Sequence, residues 1–230
     1  MNDGALLALA LAWGLFTAVH AVVLSLVEPY WPRAFQISRG LAAVALTALG
    51  LAALVDAFPE WPRAFLYRNA PDDWMRQGVA VVLGHLLADF LWMFQGARFH
   101  GIRPRRDLII HHGLGVIGFG ASLVLGIGHA LALLTMITEI LPITTGLNAW
   151  ARRTGNETLQ RRADRLRLHS LAWGRIPLWV FLEVVVLQAL IRGEDPGLSL
   201  GRWIAAAGLL ALLVLDFYWL GKCRQRVDFY

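Results

Sequence analysis

Unbroken apolar runs of about 20 residues recur along the whole chain, separated by short stretches rich in proline, glycine and arginine. A run of that length crosses the ~30 Å hydrocarbon core of a bilayer as an α-helix. In lipid, only helices and closed barrels satisfy their own backbone groups. The runs are continuous and do not alternate, which predicts helices. Seven spans are expected: Gly4 to Val27, Arg39 to Phe58, Gln77 to Gln95, Asp107 to Ile127, His129 to Trp150, His169 to Ile191 and Trp203 to Gly221. Pro29, Pro32, Pro59 and Pro62 mark the first two exits, and Gly126 with Gly128 predicts a tight turn between spans four and five. The longest polar stretch runs from Ala151 to Leu168. The first run lacks a preceding basic segment and is too long for a signal-peptide core, so it is expected to be a true span. The fold class is therefore all-α integral membrane, and no part reads as a soluble domain.

Composition agrees. Hydrophobic residues make up 57% of the chain and charged residues 16%, against about 25% charged in soluble domains; mean hydropathy is +0.55. The basic residues are arginines except Lys222, a bias expected of a GC-rich bacterial genome and hence of an inner-membrane location. Of the 21 lysines and arginines, 15 fall on the side of the first, third and fifth loops and the C-terminus, and 5 fall on the other. That asymmetry predicts an outside N-terminus and a cytoplasmic C-terminus. It also accounts for the basic balance without nucleic acid, which is not expected as a partner. Tryptophans 31, 61, 74, 92, 150, 173, 203 and 219 gather near span ends, as an interfacial belt would. Cys223 is the single cysteine, which rules out an internal disulfide.

Ionisable groups inside spans are costly and tend to face a bundle interior. Here they are His20, His85, Asp89, His111, His112, Glu139, Arg175, Glu183 and Asp216. At 1.5 Å per residue, His20, Asp89, His111, His112, Arg175 and Asp216 lie roughly 6–11 Å from the arginine-rich face, with His85 and Glu139 deeper, about 14–15 Å in. His85, Asp89 and Trp92 share one face of span three. Arg175 is read as the buried cation and expects a carboxylate: Asp89, Asp216 or Glu139. Single buried histidines such as His20 and His85 suit hydrogen-bonded contact between helices. Two adjacent imidazoles, His111 and His112, are expensive in lipid without a purpose. Gly113, Gly115, Gly118 and Gly120 after them are expected to serve close helix packing.

From His85 onward these residues resemble a TLC domain, the multi-span domain of ceramide synthases and their relatives. Asp89-Phe90-Leu91-Trp92 closes one span, Arg106-Asp107-Leu108-Ile109-Ile110-His111-His112 opens the next, and Thr138-Glu139, Arg175-Ile176-Pro177 and Asp216-Phe217-Tyr218-Trp219 follow in the family's order. The resemblance covers the chain from roughly residue 40. It divides the chain into a first helix and loop, 1–38, and a TLC-like helical domain, 39–230, forming one unit. The span after the histidines reads Thr138-Glu139-Ile140-Leu141-Pro142 where ceramide synthases carry an aspartate-rich stretch, and Asp216 replaces the closing asparagine. The likeness is therefore to the branch outside the ceramide synthases. It implies a helical bundle or barrel whose cavity opens to the cytoplasm and accepts an acyl chain, with His111 and His112 moving a fatty acyl group.

The expected function is lipid acyl transfer to an amine or hydroxyl. His111 and His112 would act as nucleophile or base, and Asp89 or Asp216 would orient a ring. Arg175, Asp216, His85, Glu139, Trp92 and Trp219 would surround the substrate. The partners are a membrane lipid or fatty acyl chain. No cofactor or metal is expected, and acyl-CoA enters as co-substrate, its phosphates drawn by the loop arginines. The alternative is a lipid-binding or membrane-composition protein using the same cavity without turnover.

Overall fold

The computed structural model describes residues 3–60, 74–193 and 199–227; Trp61 and Pro62 lie outside these. Seven helices are long and apolar enough to cross a membrane: α1 Asp3–Val27, α2 Trp31–Ala57, α3 Trp74–His100, α4 Arg106–Leu125, α5 His129–Thr154, α6 Glu157–Ile191 and α7 Ser199–Val227. No strand occurs among the described residues. The chain is an all-α integral membrane protein. Leu11, Leu26, Val55, Val124 and Ile191 are exposed around the bundle, an apolar perimeter that lipid would cover.

Neighbouring contacts run α2–α3–α4–α7–α6–α5 and back to α2, with α1 packed against α3. Glycine permits the closest approaches. A Cβ on Gly50 of α2 would stand 2.8 Å from Leu133 O of α5, one on Gly40 3.0 Å from Gly146 Cα, and one on Gly84 of α3 2.6 Å from Leu9 O of α1. Of the glycines expected to pack on α4, Gly115 does so, its added Cβ standing 2.9 Å from Leu86 Cδ1 of α3, and the other three behave otherwise. Around Gly113, Gly118 and Gly120 an added Cβ would meet nothing within 4 Å. Their missing side chains leave space; they do not bring helices together.

Several boundaries differ from expectation for local reasons. α2 begins at Trp31, so Arg39 lies inside the helix and the 38/39 division falls within it. Pro32 sits in its first turn, where an absent N–H costs nothing. The polar stretch 151–168 is helical on both sides of a tight turn: Gly155 takes a left-handed φ of 66°, and the Asn156 side chain accepts from Leu159 N to start α6. Gly126 and Gly128 form the turn between α4 and α5 with φ of 67° and 66°. There Ser122 Oγ donates to Ile127 O at 2.7 Å.

Two spans carry irregular turns where the polar residues cluster. α5 tightens to a 3-10 turn over Thr135–Glu139 before resuming at Ile140. Pro142 has no N–H, so the Thr138 carbonyl lacks its regular helical donor; Arg175 Nη1 donates to it at 3.5 Å. α6 widens to a π turn over Ser170–Arg175, just ahead of Pro177. That turn delivers the Arg175 side chain inward.

Candidate functional site

Asp89 gathers four helices. Its carboxylate is fully buried. His112 Nε2 of α4 donates to Asp89 Oδ2 at 2.8 Å, His20 Nε2 of α1 donates to Oδ1 at 3.2 Å, and Arg39 Nε of α2 donates to Oδ2 at 2.5 Å. His85, one turn away on α3, places Nε2 3.8 Å from Oδ2. Ser38 Oγ closes on the other nitrogen of His20. A carboxylate only accepts, so its ring partners carry their protons on Nε2. Arg39 balances the carboxylate charge, which the low-dielectric interior requires. On sequence alone Arg39 starts a span and Arg175 is the buried cation. Arg39 and Ser38 belong to this cluster, and Arg202 near the opposite membrane face is buried as well, at 5% exposure.

A second buried pair lies across the bundle. Arg175 Nε donates to Asp216 Oδ2 at 2.6 Å, and Trp179 Nε1 donates to the same oxygen at 2.7 Å. Of the three carboxylates open to Arg175, the structure selects Asp216. The guanidinium lies between two indoles, 5.4 Å from the Trp179 ring centre and 5.5 Å from that of Trp219. Trp219 Nε1 in turn donates to Asp107 Oδ2 at 2.8 Å.

His111 bridges the two centres. Its ring lies 5.4 Å from that of His112 and 5.3 Å from that of Trp219, edge-on to both. Its Nδ1 is buried without a hydrogen-bond partner among the described residues. The adjacent histidines are thus not equivalent: Asp89 holds His112, and no carboxylate holds His111.

A cavity of about 150 Å³ starts at this point. Arg39, His85, His111, His112, Thr138 and Glu139 line its polar end, and its wall continues down α4 through Gly115, Gly118 and Ser122 to Leu125. From His111 to Leu125 is 14 residues, about 21 Å of helix, or roughly two thirds of the hydrocarbon thickness. Beyond the polar end the wall is mainly apolar, with Leu46, Val82, Leu86, Leu131, Val186, Leu209 and Leu212. Gly118 leaves room on this wall, since an added Cβ there would meet nothing within 4 Å.

The expected substrate-contact residues separate into two groups. His85 and Glu139 line the cavity. Arg175, Asp216, Trp92 and Trp219 are not among its lining residues. Arg175 and Asp216 pair with each other behind Trp179, with Arg175 Nη2 and Asp216 Oδ1 left buried without a hydrogen-bond partner among the described residues. Trp92 packs with Trp31, Phe35, Met93 and Leu108, its ring 4.8 Å from that of His20. Among the described residues, no group of three or more His, Cys, Asp or Glu side chains is arranged to hold a metal ion.

No family model, curated protein or solved structure matches this chain.

Proposed function

We propose that this protein is a membrane acyltransferase in which His111 is the reacting imidazole, and that it belongs with the TLC-like proteins its motifs resemble. The observation that supports this reading is that His85, His111 and His112 all bring an unpartnered Nδ1 to the polar head of a narrow apolar cavity, and that of these three His111 has no carboxylate partner. Such a cavity suits a fatty acyl chain, with its carbonyl beside the ring.

In the covalent course, a His111 nitrogen attacks the carbonyl carbon of an acyl thioester or ester. A C–N bond forms, the C–S or C–O bond breaks, and the thiol or alcohol leaves with the imidazole proton. An acceptor amine or hydroxyl then attacks the acyl-imidazole, the C–N bond breaks, and the acceptor's proton returns to His111. In the non-covalent course, His111 takes the acceptor's proton directly as general base. Arg39, on the cavity wall, is placed to stabilise negative charge developing on the carbonyl oxygen. His112, fixed by Asp89, is a positioning residue that sets the wall against which His111 rests.

The arginine-rich end is proposed to face the cytoplasm of a bacterial inner membrane, which would bring a soluble acyl-CoA donor to the same end as His111. Incubation of purified protein with radiolabelled acyl-CoA and long-chain amine or alcohol acceptors tests the reading. Transfer is expected, falling about 100-fold or more in His111→Ala. Transfer that survives His111→Ala unchanged would overturn it.

A second reading, a lipid-binding protein without turnover, is favoured by the long apolar wall between His111 and Leu125. It predicts a co-purified lipid or fatty acid, no acyl transfer and no covalent adduct.

A further inference from the structure

At the arginine-rich end, a second concavity lies beside the first. α7 continues past its apolar part to Val227 and carries Tyr218, Lys222, Cys223, Gln225 and Arg226 alongside Arg167 of α6 and Arg105, Arg106 and Asp107 of α4. These residues line a groove of about 970 Å³. Five cationic side chains and one carboxylate face it. Arg105 already pairs with Asp107. Arg167 is part-buried, and its Nε has no hydrogen-bond partner among the described residues. Lys222 Nζ stands 4.1 Å from the centre of the Tyr218 ring. Topology alone asks only that cations lie on one side of the membrane. It does not ask that they converge on one groove or that a guanidinium nitrogen be desolvated there.

We infer that this groove binds a phosphate-bearing group, with Arg167, Lys222 and Arg226 as its principal donors. Guanidinium and ammonium groups make short, charge-assisted bonds to phosphate oxygens. The groove and the acyl cavity are separated by one indole. Trp219 lines the groove and meets the His111 ring at 5.3 Å, while His111 lines the cavity. From Asp107 to His111 is one helical turn, about 6 Å. A phosphate anchored in the groove would hold a linked acyl group within reach of His111. Its role in turnover rests on the acyl-transfer reading; its binding does not. Two sources carry this chemistry, a soluble nucleotide thioester such as acyl-CoA and an anionic phospholipid headgroup.

The test is direct binding to the purified full chain in detergent, read by calorimetry with non-acylated coenzyme A, with inorganic pyrophosphate and with short-chain phosphatidylglycerol. Coenzyme A or phosphatidylglycerol is expected to bind, and whichever does so more tightly identifies the source. Arg167→Gln and the exposed Lys222→Gln should each weaken binding about tenfold, as loss of one charge-assisted contact predicts. Arg161→Gln, an exposed cation on α6 outside the groove, should leave it unchanged, as should His111→Ala. The last variant separates the two proposals: binding kept with transfer lost upholds both, and binding kept with no transfer in the parent protein upholds the groove alone. Absence of binding by all three probes, or equal loss in Arg161→Gln and Lys222→Gln, would overturn the inference.

Discussion

Asp89 Oδ2 accepts the Nε2 proton of His112 at 2.8 Å, while the neighbouring His111 has no carboxylate partner. The two adjacent imidazoles therefore have different work. Helical geometry turns consecutive side chains about 100° apart, so His112 reaches Asp89 of α3 while His111 turns to Trp219, and both rings border the cavity. Asp89 ties α1, α2, α3 and α4 together through His20, Arg39, its own helix and His112.

Substituting Asp89 should be the most damaging single change to stability. Asp89→Asn removes the negative charge and leaves Arg39 buried beside neutral groups. Breaking one side of a buried pair costs about 3–5 kcal/mol. Thermal unfolding in detergent should show a clear fall in midpoint. Arg39→Gln in the same background should restore part of the loss, with a coupling of about 0.5–3 kcal/mol in the double-mutant cycle. Additive losses would mean that the pair is not formed.

Arg175→Gln should destabilise the fold in the same manner, because Asp216 is left buried with only the Trp179 indole N–H. The expected cost is again about 3–5 kcal/mol. Since neither residue lines the cavity, Asp216→Asn combined with Arg175→Gln should recover stability and retain bound lipid. A double variant that folds but no longer holds lipid would place this pair in ligand binding.

The glycines separate packing from space. Gly118→Leu should fold at least as well as the parent, since glycine in a helix interior costs up to about 1 kcal/mol and an added Cβ at Gly118 would meet nothing within 4 Å. It should abolish acyl-chain binding by filling the cavity. Gly50→Val should do the reverse, forcing α2 from the α5 backbone at a cost of about 1–3 kcal/mol. Co-purified lipid measured by mass spectrometry, beside unfolding midpoints, checks both.

The arginine-rich end is expected to be cytoplasmic. A fluorescent reporter that folds only in the cytoplasm should light when fused after Tyr230, and a reporter active only outside should be silent there. The opposite result would invert the topology.

Much of this arrangement was legible along the chain. The count of spans followed from run length, and the layer of ionisable groups followed from helical rise. What could not be read was pairing between helices. Arg175 and Asp216 stand 41 residues apart, and nothing local chooses Asp216 over Asp89. Arg39 and Ser38 were hidden because Pro29 and Pro32 suggested a loop, and an arginine next to a loop reads as a topology signal. Pro32 instead lies in the first turn of α2, which draws Arg39 into the bundle. Spacing alone does not separate Gly115, which closes on Leu86, from Gly113, Gly118 and Gly120, which have no neighbour within 4 Å. The π turn before Pro177 and the 3-10 turn before Pro142 are not read from the sequence, because a proline shows which N–H is missing but not how the backbone around it answers.

On the proposed function, an acyl chain would lie along α4 with its carbonyl at His111. Photocrosslinking with two fatty acyl probes checks this placement, one carrying its diazirine beside the carbonyl and the other at the far end of the chain. The first is expected to label the peptide holding His111 and His112, and the second residues around Leu125, Ile127 or Gly201. Equal labelling by both probes confined to the lipid-facing perimeter, at residues such as Val55, Val124 and Ile191, would contradict it.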